Sequence, residues 1–140
     1  MAVGGSISPS GELEKTEKIT INIGLVDLGQ IDLLVREGFF TNRTDFIRTA
    51  IRNQLASRAG AVDQTVARRT LVLGHEHFSR SRLEQLRAAG EMTEIRVLGL
   101  VTIADDVPPD LALATIAAVE VLGAFRASAA VKAALGPRTT

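Results

Sequence analysis

Two histidines, His75 and His77, form the pair in this sequence that is most suggestive of catalysis or metal binding. Residues two apart on a β-strand point to the same side of the sheet, so the two imidazoles could share a divalent metal ion. No third ligand is apparent beside them, and the chain contains only two histidines in all. We therefore interpret the pair as part of the polar edge of a strand and predict no metal site.

Three aspartates around Pro108 and Pro109 form a second group with chemical potential. Asp105, Asp106 and Asp110 could bind a hard cation through their carboxylates, but a turn followed by a capped helix explains them as well. No glycine-rich phosphate loop, nucleophile elbow or pair of catalytic carboxylates stands out in the sequence. The sequence therefore predicts a protein that is not an enzyme and has no cofactor.

Residues 18–55 contain the clearest change of periodicity in the chain. Ile19, Ile21 and Ile23 alternate with polar residues, as in a strand with one apolar and one polar face. The apolar spacing then changes to about 3.6 residues, which predicts two amphipathic helices. A lone strand has two unpaired edges and two short helices leave much apolar surface exposed, so this unit requires a partner. The simplest partner is a second copy of the chain.

Local signals mark the ends of the two predicted helices. The first is expected to stop at Gly38, because glycine tolerates the left-handed conformation at a helix end. Asn42 can cap the second helix by accepting a hydrogen bond from an amide of the first turn. Together with the three isoleucines of the strand, the predicted core of the dimer contains Phe46, Ile47 and Ile51.

This strand and its two helices resemble the ribbon-helix-helix (MetJ/Arc/CopG-type) family. The resemblance is carried by the alternating strand, by the turn Gly38-Phe39-Phe40, and by the run NRTDFIR that begins at Asn42. One position departs from the pattern, since Gly24 stands where many members carry a proline after the strand. The resemblance implies an intertwined homodimer in which a two-stranded antiparallel ribbon lies over four helices.

Binding of double-stranded DNA is the function that this resemblance implies. The ribbon would enter the major groove, where Lys18, Thr20 and Asn22 would read base edges, although the same alternation suits a polar face in water. The start of the second helix would hold a phosphate with its free amides and positive dipole end, although ordinary capping explains its residues too. The phosphate-binding residues predicted in this way are Asn42, Arg43, Thr44 and, before the strand, Lys15.

The composition is that of a globular protein of 140 residues, 46% of them hydrophobic. Sixteen basic and 16 acidic residues give a formal net charge of zero, so any affinity for nucleic acid must be local. The absence of cysteine excludes disulfides and fits a reducing compartment. The longest apolar run, residues 111–125, falls short of the ~20 residues of a membrane helix, and the first ten residues lack the pattern of a signal peptide. We therefore expect a cytoplasmic, nucleoid-associated protein without a membrane partner.

An internal repeat occupies the second half of the chain. Leu73-Gly74, Leu98-Gly99 and Leu122-Gly123 recur with offsets of 25 and 24 residues, each after a β-prone stretch. This period, with one strand and one return per unit, indicates a solenoid-like stack with a small parallel sheet. The glycines are predicted to form the corners where the chain turns back after each strand. Because no polar capping repeat protects either end, we expect this half to drive higher-order assembly.

The sequence as a whole predicts an α+β fold with an N-terminal ribbon-helix-helix domain and a small C-terminal domain of about three strand-and-return repeats. The predicted divisions are a flexible arm at 1–16, the ribbon-helix-helix domain at 17–57, a connecting segment with a helix after Gly60 at 58–69, the repeat domain at 70–136 and a frayed tail at 137–140.

The predicted function is that of a sequence-specific DNA-binding transcriptional regulator or DNA-organising protein. Residues 70–136 would join the homodimers into larger oligomers or sense an effector. Two other interpretations remain open at this level. One is a filament-forming structural protein whose repeats polymerise, which the zero net charge favours. The other is an antitoxin whose extra segment wraps a toxin, although such segments are usually polar and residues 71–135 are apolar enough to fold alone.

Overall fold

The computed structural model describes residues 15–140, so the predicted N-terminal arm lies almost entirely outside the described part of the chain. The described residues divide into two compact units, one formed by Thr16–Thr65 and the other by Val66–Thr140 together with Lys15. The division falls within a helix that belongs to both ranges. The elements are a mixture of α-helices and β-strands, and the predicted α+β class is confirmed.

The N-terminal unit begins with residues 16–24, which form neither helix nor strand, followed by helices α1 (Leu25–Arg36) and α2 (Arg43–Ser57). Helix α1 ends as predicted at Gly38, whose φ is 87°. The amide of Phe39 donates to the carbonyl of Leu34 at 3.0 Å, which closes the helix end in the way that a left-handed glycine permits. The predicted cap of α2 is also confirmed, because the Asn42 side chain accepts from the amide of Asp45 at 2.8 Å.

A third helix, α3 (Ala59–Arg69), occupies most of the predicted connecting segment. It begins one residue before Gly60, so that glycine lies inside the helix and does not precede it. Helix α2, with 15 residues, is the longest helix of residues 15–140. In this part of the chain, no helix combines the length and the apolar character needed to cross a bilayer.

The C-terminal unit is built on a three-stranded parallel sheet with the strand order β1-β2-β3. A helix follows each strand, and a short 3-10 turn, Gly136–Arg138, follows the last helix. The elements of this unit are β1 (Val72–Phe78), α4 (Arg80–Ala88), β2 (Thr93–Ile103), α5 (Pro109–Thr115), β3 (Ile116–Arg126) and α6 (Ala129–Leu135).

The repeat offsets seen in the sequence are the register of this sheet. Leu73 lies opposite Leu98, which lies opposite Leu122, and the three glycines that follow them are aligned in the same way. The predicted parallel sheet is therefore confirmed, and it follows directly from the spacing. Equivalent residues of successive units stand side by side because each unit contributes one strand to the same ladder.

The predicted role of the three glycines as corners is wrong. Gly74, Gly99 and Gly123 lie inside their strands, which continue for three or more residues beyond them, and their φ angles are 133°, 144° and 123°. A Cβ on Gly99 would lie 2.1 Å from the carbonyl oxygen of Gly74, and one on Gly123 would lie 2.1 Å from that of Gly99. At Gly99 and Gly123 a side chain has no room beside the carbonyl of the neighbouring strand, whereas at Gly74 the positive φ alone favours glycine.

The core of the C-terminal unit lies between one face of the sheet and the three helices that follow the strands. Along β2 the buried side chains alternate with less buried ones, so α4, α5 and α6 pack on one face of the sheet and the less buried side chains lie on the other. Helices α5 and α6 close the core with Leu111 and Leu135. The fully buried residues include Phe78, Leu83, Ile95, Val101, Leu111, Ile116, Val119, Val131 and Leu135.

The C-terminal residues 137–140 are not the frayed tail that the sequence suggested. The Arg138 guanidinium donates to the carbonyls of Leu113 and Ile116, each at 2.7 Å. The amide of Thr140 donates to the carbonyl of Val119 at 3.0 Å, and Thr139 forms a bridge with the same residue. The expectation failed because these acceptors lie 20 or more residues away in the sequence, where the local pattern of Gly136 and Pro137 carries no information about them.

Candidate nucleic-acid interface

The segment before α1 presents polar and apolar side chains in alternation. Lys18, Thr20 and Asn22, the predicted base-reading residues, are all exposed, and their segment belongs to no strand of the sheet described within residues 15–140. The isoleucines between them are exposed as well, by 75% at Ile19 and 68% at Ile21. Exposed β-branched residues that alternate with polar ones are suited to pairing with another strand.

The two helices that follow leave a large part of their apolar surface uncovered. Ile31 is the one residue of 16–65 that is buried within a single chain. Ile47 and Ile51 of α2, both predicted dimer-core residues, remain 42% and 47% exposed, while Phe46 is half-buried against the ring of Phe40. A soluble unit of this size needs more buried apolar surface than one chain supplies here, so the surface is suited to a partner.

The start of α2 is organised by a reciprocal pair of capping bonds. Asn42 accepts from the amide of Asp45, and the Asp45 carboxylate accepts from the amide of Thr41 at 2.9 Å. These two bonds fix the loop that enters the helix and hold its first turn open to solvent. Arg43 and Thr44, the first two residues of the helix, are exposed. Amides in these positions have no acceptor within the helix, so they are suited to an anion such as a phosphate.

Arg43 has a partner that the sequence did not reveal. Its guanidinium pairs with both carboxylate oxygens of Asp32 on α1, with Nε–Oδ1 and Nη2–Oδ2 distances of 2.8 and 2.9 Å. The hydrogen bonds from Arg43 lower the pKa of Asp32 below its ordinary value, and those to Asp32 raise the pKa of Arg43. The pair is therefore fully charged at neutral pH and fixes α2 against α1. In the free chain, Arg43 positions the two helices.

A second group of polar residues lies in the C-terminal unit. His75, His77 and Lys15, the last of which was predicted to bind a DNA phosphate, line a cavity of about 540 Å³ together with Thr102, Arg126 and others. Both imidazoles lie near one hydroxyl, because His77 Nδ1 is 2.6 Å and His75 Nε2 is 3.4 Å from Thr102 Oγ1. Within residues 15–140, no group of three or more histidines, aspartates and glutamates is arranged to hold a metal ion.

The sequence did contain a signal for Thr102 and Arg126. His77 lies opposite Thr102 and Thr102 lies opposite Arg126, with the same offsets of 25 and 24 residues that relate the glycines. Extending the repeat alignment by three positions from each glycine would have placed these three residues in one row. The aspartates around Pro108 and Pro109 have different surroundings. Asp105 lines the cavity, whereas the Asp110 carboxylate pairs with Arg87 of α4 at 3.5 Å.

Comparison with known families finds a match that covers most of the chain. The ribbon-helix-helix transcriptional regulator family matches residues 14–132. The chain belongs to this family. The family match includes residues 16–24, all of α1 to α3 and most of the C-terminal unit, whereas the resemblance seen in the sequence was limited to residues 18–55. The ribbon-helix-helix assignment also supports the interpretation of the chain as a regulator, in a family that is typically not enzymatic.

One curated relative is an uncharacterized protein of Methanocaldococcus jannaschii. It is 42% identical over 43 residues, which cover 31% of this chain and 44% of the relative. The chain therefore spans less than half the length of that protein. No solved structure matches the chain.

Gly24, which stands where many ribbon-helix-helix proteins carry a proline, allows a test of the turn between residues 16–24 and α1. Gly24 has φ −62° and ψ 148°, a conformation that proline adopts without strain. Gly24→Pro is therefore expected to raise the free energy of unfolding by about 0.4–1 kcal/mol, because proline restricts the unfolded chain. Chemical denaturation of both proteins measures the change. A loss of stability would show that the Gly24 amide is needed in the assembled ribbon.

Proposed function

We propose that this chain is a DNA-binding transcriptional regulator whose homodimer inserts a two-stranded antiparallel ribbon into the major groove. The observation that carries the proposal is the segment 16–24, in which exposed isoleucines alternate with exposed Lys18, Thr20 and Asn22. Pairing of two such segments would place the isoleucines over the helices and the polar residues on the outer face. In this assignment the protein performs no catalytic step and acts as a cytoplasmic, nucleoid-associated factor.

Sequence would be read by the three polar residues of the ribbon. Asparagine can form a bidentate pair with adenine, lysine can donate to the acceptors of guanine, and the threonine methyl can contact thymine. Since a dimer presents each residue twice, the preferred site is expected to consist of two related half-sites. The zero formal net charge requires that the attraction to DNA come from these local groups.

The phosphate backbone would be held at the first turn of α2. Asn42 keeps the turn in shape, and the amides of Arg43 and Thr44 lie at the positive end of the helix dipole. The Arg43 side chain is bound to Asp32 in the free chain, so we assign it to the support of this turn ahead of direct contact with a phosphate.

DNA titration tests this proposal. The full-length protein should bind genomic fragments with an affinity that falls steeply as salt rises, because phosphate contacts release counterions. Asn22→Ala should weaken binding to the preferred sequence by about 1–3 kcal/mol, with little change for unrelated DNA. Asn53→Ala, which removes an exposed asparagine from α2, is the matched control and should leave both affinities unchanged. Equal losses on all sequences would show that the ribbon does not read bases, and filaments without DNA binding would favour the structural-protein alternative.

We also propose that the C-terminal unit joins dimers into larger oligomers as a short, solenoid-like stack. Its support is the sheet face opposite α4, α5 and α6, where Leu73, Leu98 and Leu122 form one row across the three strands. Leu73 and Leu122 are 66% and 46% exposed. A row of leucines of this kind is suited to a second copy of the same face, since an isologous contact brings equivalent residues together.

Leu122→Lys is expected to abolish species larger than the dimer, because it places a charge in the proposed contact. Met92→Lys is the matched control, because Met92 is 50% exposed but lies outside the sheet. A lysine at the adjacent position, Val121, would not test the contact, because the Val121 side chain packs against the core. Sedimentation velocity at tens of micromolar measures the result. A wild-type protein that remains strictly dimeric, with or without DNA, would rule out the assembly role.

A further inference from the structure

The two edge strands of the C-terminal sheet differ in what lies beside them. Within residues 15–140, β1 pairs with β2 alone, so its other edge has no strand beside it. On the outer edge of β3, the described chain pairs only at the start of the strand, where Thr139 bridges Val119 and the Thr140 amide donates to the Val119 carbonyl at 3.0 Å. The outer edge of residues 121–125 has no backbone partner in this part of the chain. Open strand edges are templates for the addition of another strand.

The glycines of the repeat show how one strand of this sheet accepts the next. A Cβ on Gly99 would lie 2.1 Å from the carbonyl oxygen of Gly74, so that carbonyl points toward β2. A Cβ on Gly123 would lie 2.1 Å from the carbonyl oxygen of Gly99, which points toward β3 in the same way. Each glycine thus leaves room for a carbonyl of the preceding strand. By the same register, the carbonyl of Gly123 is expected to point to the outer edge of β3, as the Val119 carbonyl does.

Gly74 has the same backbone conformation at the open edge of β1. Its φ is 133°, and a Cβ there would meet no atom of the described chain within 4 Å. The space beside Gly74 is therefore equivalent to the place that a carbonyl occupies beside Gly99 and beside Gly123. A parallel strand with an outward glycine carbonyl would fit this edge, and β3 is such a strand.

The register of the sheet can continue from one copy of the chain to another. Val72 lies opposite Val97, which lies opposite Val121, and Val97 is buried whereas Val72, at the edge, is 51% exposed. If β1 of a second copy extended the ladder, its Val72 would lie beside Val121 and would be covered on that side. The C-terminal bridge at Val119 would not compete with this pairing, because it lies before position 121.

We propose that the edge of β1 binds β3 of a second copy as a parallel strand, so that the two sheets become one. The contact joins two different edges, so it is head-to-tail and extends a row of copies without closing. Pairing between two short strands is marginal by itself. The edge contact therefore rests on the proposed assembly of this unit, in which the leucine row holds copies together and raises their effective concentration.

Disulfide formation between two single-cysteine variants of the full-length protein tests this edge contact. The chain contains no cysteine of its own. Val72→Cys and Val121→Cys would lie opposite each other on adjacent strands, within the Cα separation that a disulfide spans. Under mild oxidation, an equimolar mixture is expected to give the mixed disulfide, whereas neither variant alone should cross-link, because a head-to-tail contact brings different positions together. Both positions lie on the helix side of the sheet, so contact between two leucine rows does not produce this cross-link.

Gly74→Ala, added to the Val72→Cys variant, is expected to lower the yield of the mixed disulfide by about tenfold or more, because its methyl group would occupy the place of the incoming carbonyl. Gly90→Ala is the matched control. Gly90 also has a positive φ, 69°, and open space at its Cβ, but it lies between α4 and β2, outside the strands. It should leave the yield unchanged.

Sedimentation velocity with Leu122→Lys separates this contact from the sheet-face assembly. No mixed disulfide, in a protein whose larger species Leu122→Lys still abolishes, would overturn the edge contact and leave the leucine row in place. A strictly dimeric wild type would overturn the assembly and the edge contact with it. Equal yields with Gly74→Ala and Gly90→Ala would contradict the proposed register. A self-cross-link of Val72→Cys alone would indicate antiparallel pairing of two β1 strands and would also overturn the proposal.

Discussion

Gly99→Ala is expected to reduce the free energy of unfolding of the C-terminal unit by about 3 kcal/mol or more. The added Cβ would lie 2.1 Å from the carbonyl oxygen of Gly74, and the φ of 144° at Gly99 lies in a region that side chains disfavour. The clash is with the backbone of a paired strand, so a rotamer change cannot relieve it. The sheet must separate or shift at its central strand.

Gly74→Ala is the matched control for this prediction. Gly74 has a similar φ of 133°, but a Cβ there would meet nothing within 4 Å. Its cost is therefore the conformational strain alone, about 1–2 kcal/mol. Amide exchange of β2 in the two variants separates strain from clash. Equal losses in both would show that the close approach of the strands is not what requires glycine at position 99.

Ile21→Lys is expected to unfold the N-terminal unit or reduce it to an unassociated chain. Ile21 lies near the middle of residues 16–24 and is 68% exposed in a single chain, and the proposed ribbon would bury it against the partner. An unpaired charge at such a position costs several kcal/mol. Amide exchange should show that α1 and α2 lose protection while β2 keeps it.

Thr20→Lys provides the matched control for the ribbon. It introduces the same charge one residue earlier, on the side that would face solvent or DNA. The helices should keep their protection in this variant. If both substitutions left α1 and α2 equally protected, the isoleucine face would not be a dimer core.

Helix ends in the N-terminal unit could be predicted because their causes are local. Gly38 adopts the left-handed conformation that the end of α1 requires, and Asn42 caps α2 by accepting from the amide three residues later. The bond between Arg43 and Asp32 could not be predicted, because it depends on how α2 packs against α1. Local sequence specified where the helices stop but contained no indication of which charged groups meet between them.

The repeat in the second half predicted which residues of the three strands lie opposite one another, but not where each glycine lies within its strand. Equal offsets show which residues are equivalent, and the structure pairs them accordingly. They do not show whether Gly99 stands at the end or in the middle of its strand, since a turn and a close backbone contact both require glycine. The sequence analysis missed the cavity because Thr102 and Arg126 belong to no recognisable motif. Only the alignment of the repeats places them beside His77.

The central claim is that two copies of residues 16–24 pair as an antiparallel ribbon, and interchain distances test it most directly. Because the chain contains no cysteine, spin labels can be attached at Lys18, Thr20 or Asn22 in turn by single cysteine substitutions. In an antiparallel ribbon, the distance between equivalent labels should rise by about 6.7 Å for each residue away from the twofold axis. Dipolar spectroscopy should therefore give label-to-label distances that, plotted against residue number, form a V whose minimum marks the twofold axis. The same short distance at all three positions would indicate parallel pairing, and the absence of interchain coupling would show that the ribbon does not form.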